Sequence, residues 1–176
     1  RIMDVASGPG RYLLETLKNL PGKGIALLLR DYDESSLAAG RRLAGEMGLE
    51  NVVFAQGDAF NRESLSAVRP RPSIAVVSGL YELFPQNGMV LDSLAGIADA
   101  LQDDGYLIYT CQPWHPQVEM IARTLPNREG KPWIMRRRTQ AEMDELVRST
   151  GFRKLDMKID EFGIFTVSLA QKRSAQ

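Results

Sequence analysis

The stretch Arg1-Ile-Met-Asp-Val-Ala-Ser-Gly-Pro-Gly10 decides how this chain folds. An apolar run breaks at Asp4 into a turn of small residues and then resumes with helical spacing, which predicts a strand, a tight loop and a helix. Glycines in such a loop let the backbone approach a ligand, and the helix that follows offers unpaired N–H groups. We therefore expect a ligand at this loop, in the crevice beyond the carboxyl ends of the strands.

The rest of the chain continues the order strand, then helix. Continuous apolar runs predict buried parallel strands at 24–29, 52–55, 74–77 and 106–110. Amphipathic patterns between them predict helices at 12–20, at 34–47 and around 90–101. The last two predicted strands, 152–159 and 163–169, are joined by so few residues that they must pair antiparallel. The predicted fold is therefore α/β, with a seven-stranded, mostly parallel sheet that ends in an antiparallel hairpin.

Three segments fall outside this simple alternation. The residues between the third and fourth predicted strands form a polar, Pro-rich linker. Residues 112–138 are predicted to be an insertion, with a short helix from Pro116 and a loop over 126–132. Thr139-Gln-Ala-Glu142 has the pattern of a capping box and begins the next predicted helix.

Length and composition limit the class of protein. A chain of 176 residues suits one domain, and the 22 Lys and Arg balance the 22 Asp and Glu, so nothing favours nucleic acid or an anionic membrane as a partner. The single cysteine, Cys111, excludes an internal disulfide and is typical of a reducing, cytoplasmic compartment. With one His and one Cys, no soft metal site is expected. The chain begins inside a predicted strand, so we expect that upstream residues were trimmed.

The first loop resembles the first motif of the class I S-adenosylmethionine (SAM) dependent methyltransferases, acid-x-Gly-x-Gly-x-Gly. The matching residues are Asp4, Ala6, Gly8 and Gly10, with alanine in place of the first glycine. The resemblance implies the Rossmann-like methyltransferase fold and SAM as cofactor, held at the first loop by Asp4, Ala6, Ser7, Gly8 and Gly10.

Two further acids follow the second and third predicted strands. In the resembled family an acid in the place of Asp31, here followed by Tyr32, accepts hydrogen bonds from both ribose hydroxyls. Asp58 with Ala59 and Phe60 resembles the family's adenine clamp. The alternatives are that Asp31 is a solvated loop residue beside a helix cap, and that the segment after the third strand is a simple turn.

A dinucleotide-binding Rossmann domain is the main rival interpretation. Its fingerprint needs a third glycine where this chain has Leu13. A terminal antiparallel hairpin also disagrees with the parallel sixth strand of that fold. Both features favour the methyltransferase.

The methyl donor and its acceptor are expected to meet at Ser78-Gly79-Leu80-Tyr81-Glu82, the family's fourth motif. Ser78 and Leu80 are predicted to contact the methionine end of SAM, and Tyr81 and Glu82 are predicted catalytic residues, with Tyr81 also contacting the acceptor. The alternative for Tyr81 is a place in the core.

His115, the only histidine, follows the fifth predicted strand and is a candidate general base. The alternative is a helix cap or surface residue ahead of Pro116. Gln112, Trp114 and Arg137 are predicted to contact the acceptor. Arginine suits a carboxylate or phosphate, although a run of three arginines is more often a solvated surface.

Three longer runs resemble a narrower bacterial group, methyltransferase domains often fused behind an α/β-hydrolase domain. The runs are Ser78-Gly-Leu-Tyr-Glu-Leu-Phe-Pro85, Gln112-Pro-Trp-His-Pro-Gln117 and Gly163-Ile-Phe-Thr-Val-Ser-Leu169. The resemblance implies methyl transfer from SAM to a small-molecule or lipid-like acceptor, with a hydrolase domain upstream. The alternative is a SAM-binding regulatory module without catalysis.

Overall fold

The computed structural model describes residues 1–20, 23–127 and 130–174. The strands are β1 Ile2–Val5, β2 Leu27–Asp31, β3 Val52–Gln56, β4 Ile74–Val77, β5 Tyr106–Cys111, β6 Phe152–Ile159 and β7 Thr166–Lys172. The helices are α1 Arg11–Lys18, α2 Glu34–Glu46, α3 Arg62–Ser66, α4 Asn87–Ala100, α5 Val118–Thr124 and α6 Gln140–Ser149. A 3-10 turn spans Tyr81–Leu83.

The strands form one sheet in the order β3-β2-β1-β4-β5-β7-β6. β7 is antiparallel to both of its neighbours, and the other strands run parallel to one another. This confirms the predicted seven-stranded α/β sheet with its antiparallel end. β1 pairs with β2 on one side and with β4 on the other, so the strand order reverses there. Such a reversal opens the crevice in which α/β proteins bind ligands.

The sheet is covered on both faces, which explains the continuous apolar run in β2. Leu28 packs into a large cluster with residues of α4 and α6. Leu27 and Leu29 pack into a second cluster with Leu14 of α1 and Ala44 of α2. Because successive side chains of a strand point to opposite faces, a strand between two layers of helices needs apolar residues at every position.

Local residues fix where the helices at the ligand edge begin. Gly10 precedes α1 with a φ of 68°, and a Cβ there would lie 2.4 Å from Leu29 Cδ1, so only glycine fits. Asp33 accepts hydrogen bonds from the backbone N–H groups of Ser35 and Ser36 and thereby caps α2.

Several predicted boundaries were wrong. The predicted linker between β3 and β4 contains α3, capped by Asn61. α5 begins at Val118 instead of Pro116, and β7 begins at Thr166, three residues after the predicted start. Residues 128 and 129 of the predicted loop lie outside the described residues.

The predicted capping box at α6 forms only in half. Thr139 accepts from the backbone N–H of Glu142 at 3.1 Å, as predicted. The Glu142 carboxylate instead accepts from Asn87 and Arg136. The nearby Arg136 guanidinium and the distant Asn87 amide thus bind the carboxylate that the capping box would have used.

Candidate active site

Asp4 lies at the carboxyl end of β1 and is fully buried. The Tyr12 hydroxyl donates a hydrogen bond to Oδ2 at 2.5 Å, whereas Oδ1 has no partner among the described residues. Burial is the largest influence on the carboxyl and raises its pKa to about 7. A buried acceptor without a donor is costly, so this oxygen is suited to a ligand that brings a donor or a positive charge.

The loop after β1 has an unusual backbone. Ala6, Gly8 and Gly10 all have positive φ, at 60°, 54° and 68°. The left-handed conformation is ordinary for glycine but unfavourable for Ala6, which replaces the first glycine of the resembled motif. The backbone N–H of Ser7 donates to the carbonyl of Arg30 at 2.9 Å, which joins the loop to the end of β2.

Asp31 at the end of β2 joins two loops. Its Oδ2 accepts from the backbone N–H of Gly8 at 2.7 Å, and its Oδ1 accepts from the backbone N–H of Asp33 at 2.9 Å. Each carboxylate oxygen can accept a further hydrogen bond. Asp31 and the cap residue Asp33 therefore have separate roles, and the side chain of Tyr32 is exposed beside them.

The segment after β3 forms a compact turn. Asp58 is exposed, and its Oδ1 accepts from the backbone N–H of Phe60 at 2.8 Å. Ala59 is buried, and the Phe60 ring packs edge-on against Phe84 with centroids 4.6 Å apart. This contact places the predicted adenine clamp beside the segment that carries the fourth motif.

The fourth motif follows β4. Ser78 is half-buried and Leu80 is buried, while the backbone N–H of Gly79 donates to the Thr110 hydroxyl at 2.8 Å. Tyr81 is buried with its hydroxyl 2.9 Å from the Ser93 hydroxyl, and burial raises the pKa of the phenol. The Tyr81 side chain thus lies in the core, the alternative that the sequence left open.

Glu82 has a different environment from Tyr81. Its side chain is 6% exposed, and a hydrogen bond from its own backbone favours the ionised form of the carboxylate. Burial raises the pKa of this carboxyl, while the nearby Arg138 guanidinium partly opposes that effect. Glu82 lines a cavity of about 10 Å³ together with Thr110, Cys111 and Gln112.

Gln112 directly follows β5 and is 3% exposed. Its Oε1 atom has no hydrogen-bond partner in the described part of the chain, the same condition as Asp4 Oδ1. Gln112, a predicted acceptor contact, and Glu82, a predicted catalytic residue, therefore line the same cavity, in the segments that follow the neighbouring strands β5 and β4.

The three consecutive arginines do not form a uniform charged surface. Arg138 is buried, and its guanidinium donates to the carbonyls of Tyr81 and Phe84 and to Oδ1 of Asn87. Arg136 donates to the Pro85 carbonyl and to Glu142. Arg137, the residue predicted to bind the acceptor, is exposed.

His115 and Trp114 lie in the segment that leaves β5. Nδ1 of His115 accepts from the backbone N–H of Gln117 at 3.1 Å, which makes a local turn ahead of α5. Trp114 is 51% exposed. Among the described residues, those that line the cavity beside Glu82 do not include His115.

Comparison with known proteins agrees with this arrangement. The model of a family described as "Putative methyltransferase" matches residues 1–172. The chain belongs to this methyltransferase family. The expected class I SAM-dependent methyltransferase, with SAM as its cofactor, is thereby confirmed, and the dinucleotide-binding alternative is set aside.

A relative of this methyltransferase is known in Escherichia coli (strain K12) under the name "Uncharacterized protein YnbC". The two are 55% identical over 175 residues, which is 98% of this chain and 30% of that protein. The methyltransferase chain thus spans less than a third of the relative's length.

Solved structures confirm the fold. An O-methyltransferase family protein from Burkholderia thailandensis has a TM-score of 0.78 at 14% identity, over 99% of this chain and 51% of that one. Magnesium protoporphyrin IX methyltransferase from Synechocystis PCC 6803, solved with bound SAH, has a TM-score of 0.73 at 15% identity, over 98% of this chain and 73% of that one.

The described residues contain no group of three or more His, Cys, Asp or Glu side chains arranged to hold a metal ion. None of their helices is both long enough and apolar enough to cross a bilayer.

Proposed function

We propose that this methyltransferase domain binds SAM across the carboxyl ends of β1 to β4 and transfers its methyl group to a small-molecule or lipid-like acceptor beside Glu82. The observation that carries the proposal is the unpartnered Oδ1 atom of Asp4, buried next to the glycine loop. The ammonium group of SAM's methionine part fits this atom, because it supplies both the missing donor and a compensating positive charge.

The remaining contacts follow from the positions of the other loops. Asp31 has lone pairs free for the ribose hydroxyls while its bonds to Gly8 and Asp33 hold it in place. The turn from Asp58 to Phe60 is proposed to receive the adenine, with the Phe60 ring covering its face. Ser78 and Leu80 are proposed to line the methionine end.

Methyl transfer from SAM requires few catalytic groups from the protein. When bound, SAM supplies a methyl group made electrophilic by a sulfonium. The protein must align the acceptor in line with that methyl, exclude water and, where the acceptor carries a proton, remove it. Glu82 is suited to the last task, because a carboxyl whose pKa is raised by burial is a better base near neutral pH. The prediction that His115 is the base remains open to test.

Exposed apolar side chains support an acceptor with an apolar part. Trp114, Met120 and Ile134 are at least half exposed, and all lie in the segment between β5 and α6. Phe162 is 70% exposed in the turn between β6 and β7. Because β7 begins beside the end of β5, this turn lies at the same edge of the sheet as the cavity.

A SAM-binding module without catalysis is the second candidate function. The small size of the cavity beside Glu82, about 10 Å³, favours it, because no whole acceptor molecule fits there. The YnbC relative is much longer than this chain, so the activity of a whole protein, including a fused hydrolase domain, is likewise a proposal.

Calorimetric titration with SAM and with its demethylated product tests the cofactor site. Transfer of labelled methyl from SAM to a pool of metabolites and lipids then tests catalysis. Binding together with transfer supports the enzyme. Binding without transfer to any acceptor supports the module, and no binding of SAM refutes both.

A further inference from the structure

The two oxygens of the buried Asp4 carboxylate have different surroundings. We infer that Tyr12 is a positioning residue for SAM, because its hydroxyl holds Oδ2 and leaves Oδ1, with the negative charge, for the cofactor's ammonium group. This inference rests on the proposed function, since it concerns how the same acid binds SAM. Tyr12 thereby sets the pH range over which the cofactor binds.

The start of α1 brings Tyr12 to the end of β1. Gly10, with its left-handed backbone, precedes the helix, and Leu14 packs against the sheet with no exposed surface. These contacts fix how the helix is turned about its axis. Tyr12 is 42% exposed, yet its hydroxyl lies 2.5 Å from Oδ2 of the fully buried Asp4. The Tyr12 side chain therefore reaches from the protein surface to the carboxylate.

A neutral donor suits a carboxylate that is to bind a cation. A lysine or arginine would satisfy Oδ2 but would also neutralise the charge, so that little attraction for a second cation would remain. A phenol donates one hydrogen bond and stays neutral here, because burial and the neighbouring Asp4 raise the Tyr12 pKa. No ion pair of the described residues includes Asp4. Its charge is thus left for a ligand.

Among the described residues, two titratable groups influence Asp4, namely Tyr12 on α1 and Asp31 at the end of β2. β4, on the other side of β1, places the uncharged Val76 opposite it. Burial is the largest effect and raises the Asp4 pKa to about 7, the hydrogen bond from Tyr12 lowers it, and the negative charge of Asp31 raises it. Tyr12 is therefore the side chain that favours the ionised form, which attracts an ammonium group.

Loss of the Tyr12 hydroxyl should change SAM binding most at acidic pH. Without this donor Asp4 binds a proton more tightly, and SAM must displace that proton before its ammonium group can pair with the carboxylate. The loss of affinity is largest where the free protein is protonated, and it fades at pH values where Asp4 is ionised in any case. A tyrosine that only packs against the loop would cause the same loss at every pH.

Calorimetric titration of SAM into the natural chain and into Tyr12→Phe, from pH 5 to pH 8, tests the inference. The Kd of the variant should be about 2- to 10-fold higher at pH 5, the net worth of one hydrogen bond, and the ratio should approach one at pH 8. Titration of SAM itself cancels in this ratio, because both proteins bind the same compound. Tyr106→Phe, the same change at the amino end of β5, is the control and should give a ratio of one throughout.

The Asp4→Asn background separates the charge of Asp4 from the packing of Tyr12. Asparagine does not titrate, so adding Tyr12→Phe to Asp4→Asn should change the Kd for SAM by the same factor at pH 5 and at pH 8. A ratio that still depends on pH in this background would show that another group is responsible, and it would overturn the inference.

A measurement on the natural chain needs no variant. Titration of SAM at pH 6, in two buffers that differ in ionisation enthalpy, should show release of close to one proton, because the free carboxyl is mostly protonated there and the bound one is ionised. Binding without proton release would overturn the inference, since Asp4 would then not carry the charge that Tyr12 is inferred to support.

The inference and the proposed function fail in different ways. A Kd ratio for Tyr12→Phe that stays constant with pH, at one or at any other value, would overturn the role of Tyr12 while SAM binding and the proposed function stand. If the natural chain binds no SAM at any pH, both are refuted.

Discussion

Replacing Asp4 with asparagine should stabilise the free protein and weaken its binding of SAM. Burial raises the Asp4 pKa from 3.8 to about 7, so at higher pH the folded chain holds a buried carboxylate with one unpartnered oxygen. A pKa difference of that size corresponds to on the order of 4 kcal/mol. Asparagine keeps an oxygen for the Tyr12 hydroxyl but carries no charge, so most of this penalty should be relieved.

The pH dependence of the free energy of unfolding shows in which direction Asp4 acts. In the folded state Asp4 binds its proton more tightly than in the unfolded state, so its contribution to stability is greatest below pH 3.8 and falls as the pH rises to about 7. The difference in free energy of unfolding between Asp4→Asn and the natural chain should therefore be small near pH 4, grow up to about pH 7 and then level off.

SAM binding should change in the opposite direction. An ammonium beside Asp4 favours the ionised carboxylate, so the affinity of the natural chain for SAM should rise with pH up to about 7. Asp4→Asn should lose this dependence and bind SAM about 10- to 150-fold more weakly, the usual worth of a hydrogen bond to a charged group.

Urea denaturation from pH 4 to 8, followed by calorimetric titration of SAM, measures both effects. Asp92→Asn, which changes an exposed acid on α4, is the control and should alter neither quantity. Either of two results would contradict this reasoning. Asp4→Asn could be less stable than the natural chain at pH 8, or it could bind SAM equally well. In either case Asp4 would not be a destabilising buried carboxylate that binds the ammonium group of SAM.

Three further variants test other parts of the site. Asp31→Ala should weaken SAM binding by about 1–3 kcal/mol in calorimetry, and an unchanged affinity would remove Asp31 from the site. If His115 is the base, His115→Ala should lower turnover and keep its SAM affinity, and unchanged methyl transfer in the variant would remove His115 from that role. Ala6→Gly should raise the free energy of unfolding by about 0.5–1 kcal/mol, because a left-handed φ of 60° costs alanine more than the added flexibility of the unfolded chain costs glycine. A decrease in urea denaturation would contradict that reasoning.

The sequence was sufficient to predict the sheet and the loops at its edge, because those features follow from local patterns. The apolar runs, the turn after Asp4 and the short link between the last strands each act over a few residues. The cap at Asp33 and the separate role of Asp31 were likewise visible as neighbouring acids at the end of one strand.

Long-range contacts explain what the sequence could not predict. Arg138 sits in a run of three arginines, and its burial depends on carbonyls at Tyr81 and Phe84, more than fifty residues away. Glu142 has the right spacing for a capping box, yet Arg136 and Asn87 take its carboxylate. No local pattern shows that Gln112 ends with an unpartnered oxygen, because that follows from what packs around it.

The place of β7 has a consequence for how the domain is made. It follows the other described strands in the chain, yet it lies inside the sheet, with β5 on one side and β6 on the other. While a ribosome is still synthesising Thr166–Lys172, β6 has no strand to pair with, and one edge of β5 lacks its hydrogen-bonded partner strand. The sheet can close only after this strand has left the exit tunnel, so chaperones that shield exposed strand edges would act on the nascent domain until β7 has been synthesised.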